Sequence, residues 1–193
     1  MGIKGVLFDL GGVLFTLGEA AYRREVARRL GLGEELPPAY EERIAELQRG
    51  ELDEVDLWEE LSGRRVSPRL FDDAWLGHFH PRPSMFDLAR ELRSLGMRTG
   101  ILSNTQASHV SCMRRLDLFE GFDPVVMSCE AGHRKPEPEV FQVAVARMGL
   151  QPGEVVFVDD VPAYVEAARQ AGLQALLHYG DVAATRSEIL ALV

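Results

Sequence analysis

The stretch that decides the reading is "VLFDLGGVLF", residues 6–15. It is apolar throughout except for Asp9 and the glycine pair Gly11 and Gly12. A short apolar run without polar alternation reads as a strand buried on both faces, the pattern of a parallel sheet. Asp9 then stands where the strand leaves the core. In open α/β sheets, ligands bind at that carboxyl rim.

Working outward, residues 83–193 alternate strictly between helix and strand. "FDLARELRSLG" is a helix with Leu88, Ala89, Leu92 and Leu95 on one face and Gly96 as its stop. "RTGILSN", "PVVMSCE", "EVVFVDD" and "QALLHY" read as strands, separated by helices over 106–118, 138–149 and the segment from Pro162 to Gly172. A last helix is predicted over 183–192. Continuous apolar strands alternating with helices imply an α/β fold, a three-layer arrangement with a parallel sheet covered on both faces.

Residues 16–82 differ. They show no convincing strand, only helical stripes: Tyr22, Val26 and Leu30; Ile44 and Leu47; Val55, Trp58 and Leu61; then Leu70, Phe71, Ala74 and Trp75. The prolines at 37–38 and in "HPRP" (80–83) bracket these stripes. The expected organisation is therefore a core built from 1–15 and 83–193, with a small helical insertion over 16–82.

The chain has 193 residues, enough for one good core. Its 30 acidic against 21 basic residues give a net charge of −9, which argues against nucleic acid or an anionic membrane as partner. No apolar run is long enough to span a bilayer, and "MGIKGVLF" lacks the pattern of a secretory leader. Cys112 and Cys129 have no metal-ligand spacing and read as free thiols. Together these place the protein in the cytoplasm. Of the 21 basic residues only Lys4 and Lys135 are lysines, which draws attention to Lys135 as a compact charge.

Four strand ends carry chemistry. The first delivers Asp9, the second Ser103 and Asn104, the third Lys135 after a short loop, and the fourth Asp159 and Asp160. Singly, each has an ordinary role as a turn residue, helix cap or loop residue. Together they suit one task, attack by the Asp9 carboxylate on an electrophilic centre. Gathered carboxylates repel one another and a phosphate, so they call for Mg²⁺, a hard cation with oxygen ligands. Asp9, the carbonyl of Gly11, Asp159 and Asp160 are its candidate ligands. Ser103, Asn104 and Gly12 are candidates for binding the transferring group, and Lys135 for offsetting its charge.

With these pieces in order, the sequence resembles the haloacid dehalogenase superfamily. "FDLGGVL", "ILSN", "KPEPEVF" and "FVDDVPAYVEAARQAG" match its four motifs in sequence, and the insertion after the first is similar to the family's helical cap. The resemblance spans essentially the whole chain. It implies a Rossmann-like core, an aspartyl nucleophile, Mg²⁺ and a small phosphorylated substrate.

Two positions depart from the pattern. The family's phosphatases place a second aspartate, the general acid and base, two residues after the nucleophile; here stands Gly11. Three readings follow: a phosphatase for substrates with a good leaving group such as a sugar 1-phosphate; a 2-haloacid dehalogenase, although that branch lacks the acidic pair seen here; or a phospho-ligand or protein-binding homologue without turnover. Tyr164 stands where the family often has an Asp or Asn that supports the metal and the lysine, so either Asp159 holds Lys135 instead or the support is weaker. His78, His80 and Glu19 are the candidates for supplying the missing proton, and His133 and Arg134 for touching a substrate anion. Trp58 and Trp75 read as core of the insertion.

Overall fold

The computed structural model describes residues 2–33 and 35–193. The chain begins with β1 (Gly5–Phe8) and β2 (Phe15–Leu17), followed by the helices α1 (Glu19–Arg29), α2 (Pro38–Arg49), α3 (Glu54–Ser62) and α4 (Arg69–His78). Next come β3 (Phe79–Pro81), α5 (Pro83–Ser94), β4 (Arg98–Ser103), α6 (Ala107–Arg115), β5 (Val125–Met127) and α7 (Ser128–Ala131). The last elements are α8 (Pro138–Met148), β6 (Val155–Asp159), α9 (Pro162–Gln170), β7 (Gln174–Leu177) and α10 (Val182–Ala191).

β1 is the centre of a five-stranded sheet ordered β5-β4-β1-β6-β7. It is paired in parallel with both neighbours, Phe8 lying opposite Ile101 on one side and Val158 on the other. All four of its residues are buried. Because side chains alternate along a strand, the sheet divides the apolar residues cleanly. Val6, Phe8, Ile101, Met127, Val156 and Val158 join one cluster, and Leu7, Leu102, Val126, Val155 and Phe157 the other. The α/β sandwich expected from the alternation is what forms.

Prolines and glycines set several helix boundaries. Pro38, Pro83, Pro138 and Pro162 each open a helix, where a missing N–H leaves nothing unsatisfied. Gly50 closes α2 in the left-handed conformation, φ 71°, and a side chain there would overlap the Cys129 carbonyl on α7. The insertion thus approaches the sheet domain at backbone contact distance.

Two expectations need correction. Residues 16–82 do contain strand: β2 pairs antiparallel with β3, Phe15 opposite Pro81 and Leu17 opposite Phe79. This ribbon carries the chain into and out of the four helices. The strand expected over 124–130 ends at Met127, and Ser128 turns the chain into α7. Ser128 is fully buried, and its hydroxyl accepts from Thr105 N–H at 2.9 Å while donating to the Thr105 carbonyl at 3.2 Å. That exchange diverts the backbone from the sheet.

The four helices share the core of one sheet face. Tyr22, Val26, Tyr40, Leu47, Trp58, Phe71 and Trp75 belong to the same cluster as Phe8 and Val158. A buried acid completes the join. Glu54 on α3 accepts from Tyr22 Oη at 3.2 Å, Tyr40 Oη at 3.3 Å and Trp58 Nε1 at 3.2 Å, and also from the Ser108 hydroxyl on α6. Burial raises its pKa, against the hydrogen bonds that favour its charged form. At the opposite edge, Arg49 on α2 donates to Glu137 at 2.9 Å, next to the Lys135 loop.

Candidate active site

β1 ends one residue before Asp9, whose N–H still donates to Val158 O at 2.9 Å, so the sheet fixes the backbone of this residue. Its side chain is nearly buried. Oδ1 lies 2.8 Å from Lys135 Nζ, an ion pair between two buried groups. Burial pushes the Asp9 carboxyl up to about 6, with the Lys135 charge opposing that rise.

Lys135 has no exposed surface. Its ammonium donates to Asp159 Oδ2 at 2.6 Å and lies 5.1 Å from the centre of the Phe157 ring and 5.0 Å from that of Tyr164. Burial alone would lower its pKa, but the Asp9 and Asp159 carboxylates outweigh it and hold the lysine charged. Asp159 is fully buried, and its second oxygen accepts from Val161 N–H at 2.8 Å. Of the two arrangements left open by Tyr164, the one in which Asp159 holds Lys135 is seen. Tyr164 contributes its ring face to the lysine, and its hydroxyl accepts from Asn104 at 3.4 Å.

Asn104 lines the cavity beside Ser103 and also braces the lysine loop. Its amide nitrogen donates to Lys135 O at 2.8 Å and its amide oxygen accepts from Lys135 N–H at 2.7 Å. Both ends of the amide thereby hold the lysine loop. Gly12 lines the cavity too, and its N–H donates to Phe15 O at 2.8 Å. What the position requires is room, since φ is 77° and any Cβ would overlap the Asp160 carboxylate. Gly12 makes space for Asp160.

Asp9, Asp159 and Asp160 present carboxylate oxygens that all lie within 4.8 Å of one another. Three carboxylates against one ammonium leave an excess of negative charge. Burial and then the Asp159 charge raise the pKa of Asp160. An oxygen-only donor set and a glycine cleared for Asp160 suit a hard divalent cation. Among the described residues, no backbone hydrogen bond ends on the Gly11 carbonyl, which lines the same space.

These groups bound a cavity of about 330 Å³, with Ser103 and Lys135 at the sheet end and Glu19, Gln48 and Trp75 on the side of the helices. Of the residues considered for proton transfer, Glu19 lines it, paired with Arg23; His78 and His80 do not. His133 and Arg134 stay outside, gathered on Glu137. Sequence reasoning missed Gln48, Gln106 and His109 as lining residues. Gln48 and His109 sit on helices and Gln106 caps one, and such polar positions carry no signal distinguishing a cavity wall from a solvated face.

The model of one family, described as haloacid dehalogenase-like hydrolase, matches residues 3–172. The chain belongs to that family. Haloacid dehalogenase-like hydrolases similar to it include the glyceraldehyde 3-phosphate phosphatase of Methanopyrus kandleri, 28% identical over 89% of this chain and 82% of the relative. The sesquiterpene phosphatase of Aspergillus oryzae is also 28% identical, over 98% of this chain and 96% of its own. Among solved structures, a family enzyme from Bacteroides thetaiotaomicron in its magnesium complex superposes with a TM-score of 0.79, at 26% identity, covering 94% of this chain and 96% of the other. The protein is a hydrolase of this family, and the four motifs legible in its sequence are the ones that meet at the cavity.

Proposed function

We propose that the protein is a magnesium-dependent phosphatase acting on a small phosphorylated metabolite, with residues 16–82 forming a cap over a core made of 1–15 and 83–193. The observation that carries this is the buried Asp9 carboxylate, 2.8 Å from a charged lysine and within 4.8 Å of two further carboxylates. The phosphatase names of relatives and the magnesium complex of a structural neighbour support it.

Asp9, Asp160 and the Gly11 carbonyl would hold Mg²⁺, with Asp159 at the edge of the set because both its oxygens already serve Lys135 and Val161. The bound cation would offset negative charge on the phosphoryl group and the carboxylates. An Asp9 oxygen attacks phosphorus, the bond to the leaving oxygen breaks with its electron pair, and an aspartyl-phosphate results. Water then attacks phosphorus, the bond to Asp9 breaks, and the carboxylate is restored. Ser103 and Lys135 bind the phosphoryl oxygens, with Lys135 kept charged by its two carboxylate neighbours. Gly11 offers no proton, so substrates whose leaving group departs readily, such as sugar 1-phosphates or acyl phosphates, are the ones expected to turn over fastest.

The test is phosphate release from a panel of phosphate esters and halide release from 2-haloacids, each with Mg²⁺ or EDTA, for wild type and Asp9→Asn. Phosphate release lost to both EDTA and the substitution is the expected result. Halide release that survives EDTA would establish the dehalogenase reading in its place.

A further inference from the structure

The helical insertion meets the sheet domain at a second place, away from the shared apolar core, on the loop that carries the lysine. α2 ends there in Arg49 and Gly50. Arg49 donates to Glu137 Oε1 through Nε, at 2.9 Å, and also through Nη2. The approach is fixed in the backbone, because a side chain on Gly50 would overlap the Cys129 carbonyl on α7. α7 leads directly into the loop 132–137. The end of α2 is thus seated against the stem of this loop, and Arg49 reaches it from a defined position.

Glu137 does more than receive Arg49. Its other oxygen accepts from the Arg134 N–H at 3.0 Å, and its own N–H donates to the Arg134 carbonyl at 2.8 Å. These two bonds close a turn over 134–137 with Lys135 inside it. Burial would raise the Glu137 carboxyl, but the bonds from Arg49 and the Arg134 N–H outweigh it and hold it below its usual value. From the sheet side, Asn104 holds the Lys135 N–H at 2.7 Å and its carbonyl at 2.8 Å. The lysine backbone is therefore gripped from two directions, by Asn104 just after β4 and by the turn that Glu137 closes and Arg49 anchors.

An ion pair with side chains 32% and 26% exposed contributes little to folding stability. Its leverage is geometric. Lys135 Nζ lies 2.8 Å from Asp9 Oδ1 and 2.6 Å from Asp159 Oδ2, so a shift in the backbone that carries it moves the ammonium against the attacking carboxylate. Small misplacements of a catalytic group cost rate steeply.

We propose that Arg49 and Glu137 are positioning residues through which the insertion sets the backbone of Lys135, and so the ammonium that faces Asp9. Neither lines the cavity. The proposal rests on the phosphatase reading for the reaction it serves, and adds to it a mechanical link from α2 to the lysine.

The experiment measures kcat and KM for acetyl phosphate with Mg²⁺ in wild type, Arg49→Gln, Arg49→Lys, Glu137→Gln and the double variant Arg49→Gln/Glu137→Gln, with thermal melts to confirm folding. Arg49→Gln should lower kcat about threefold to tenfold and leave KM within about twofold. Arg49→Lys keeps the charge but not the two-nitrogen grip, and should recover part of the loss. Because both residues act through one turn, the double variant should fall no further than Glu137→Gln alone. A kcat unchanged in Arg49→Gln overturns the proposal, as do losses that multiply in the double variant. Amide hydrogen exchange followed by NMR gives a readout without turnover. The Arg134 and Lys135 amides should exchange at least about threefold faster in Arg49→Gln, while the Asp9 amide, held by Val158, stays unchanged. Faster exchange there, with no phosphate released by wild type, upholds the link and removes the phosphatase reading. Unchanged exchange at both amides overturns the link alone.

Discussion

At the residue scale, Gly11 is the position where a single side chain would change the chemistry most. A Cβ built on it meets nothing within 4 Å, and its φ lies outside the left-handed region that favours glycine. The space that an acid would fill in the family's phosphatases is therefore open. Gly11→Asp is expected to fold normally and to raise kcat on alkyl phosphates, which leave poorly, by about 10²-fold or more, the usual contribution of a general acid. Acetyl phosphate should gain far less. Steady-state kinetics on the two substrates checks this, and an equal effect on both would rule out proton donation as the missing function. Gly12, one residue on, tolerates no such change, since its Cβ would overlap Asp160. The sequence marks Gly11 as a departure from the family's pattern, but it does not show the clearance that Gly12 gives Asp160. Asn104 shows the same limit: its residue type fitted the binding of a phosphoryl oxygen, whereas its partners turned out to be the two backbone groups of Lys135. A side chain's partner depends on what the fold brings opposite it.

At the scale of elements, periodicity located the four helices of the insertion because each buries one stripe: Tyr22, Val26 and Ala27 on α1, and Phe71, Ala74 and Trp75 on α4, for example. The β2–β3 ribbon escaped because three-residue strands are too short to display an alternation. Strand order was likewise invisible, since pairing depends on the three-dimensional path, while the placement of reactive residues at strand ends was not. Glu54 also went unseen, although it ties α1, α2, α3 and α6 together. Glu54→Ala would leave the hydroxyls of Tyr22, Tyr40 and Ser108 and the Trp58 N–H without their acceptor. Set against relief of a buried charge, the expected loss is about 3 kcal/mol of folding free energy. Urea unfolding followed by tryptophan fluorescence measures it directly, as Trp58 is one of the four donors. A loss under about 1 kcal/mol would mean that the network is dispensable.

At the scale of the whole molecule, the helices and the sheet share one apolar cluster, so a charge forced into their seam acts on the entire fold. His109 stands in that seam, fully buried, with Tyr22 at 4.8 Å between ring centroids. Burial, aided by the charge of Arg23, lowers its pKa from 6.5 to about 3. The folded state therefore keeps this imidazole neutral where the unfolded chain has already bound a proton. Its contribution is complete above pH 6.5 and falls as the pH drops toward 3, by about 1.4 kcal/mol per unit. Glu54, with a raised pKa, works in the opposite direction, so the slope belongs in a difference between variants. From pH 7.5 to 5.5, wild type should lose about 1.4 kcal/mol relative to His109→Gln in urea titrations. A difference independent of pH would show that the imidazole is protonated in place.

The burial of Lys135 has a consequence for labelling chemistry. The chain has two lysines, and they sit at opposite extremes of access: the Lys4 side chain is 63% exposed, that of Lys135 1%. An amine-directed reagent should acylate Lys4 within minutes and reach Lys135 only when the protein opens. Mass spectrometry of a timed reaction then reads the opening rate of the active site from one residue, with the other as an internal clock. Labelling of Lys135 as fast as Lys4 under native conditions would contradict its burial. With ligand bound, the slow site should become slower still, and that change would report occupancy for any molecule the cavity accepts.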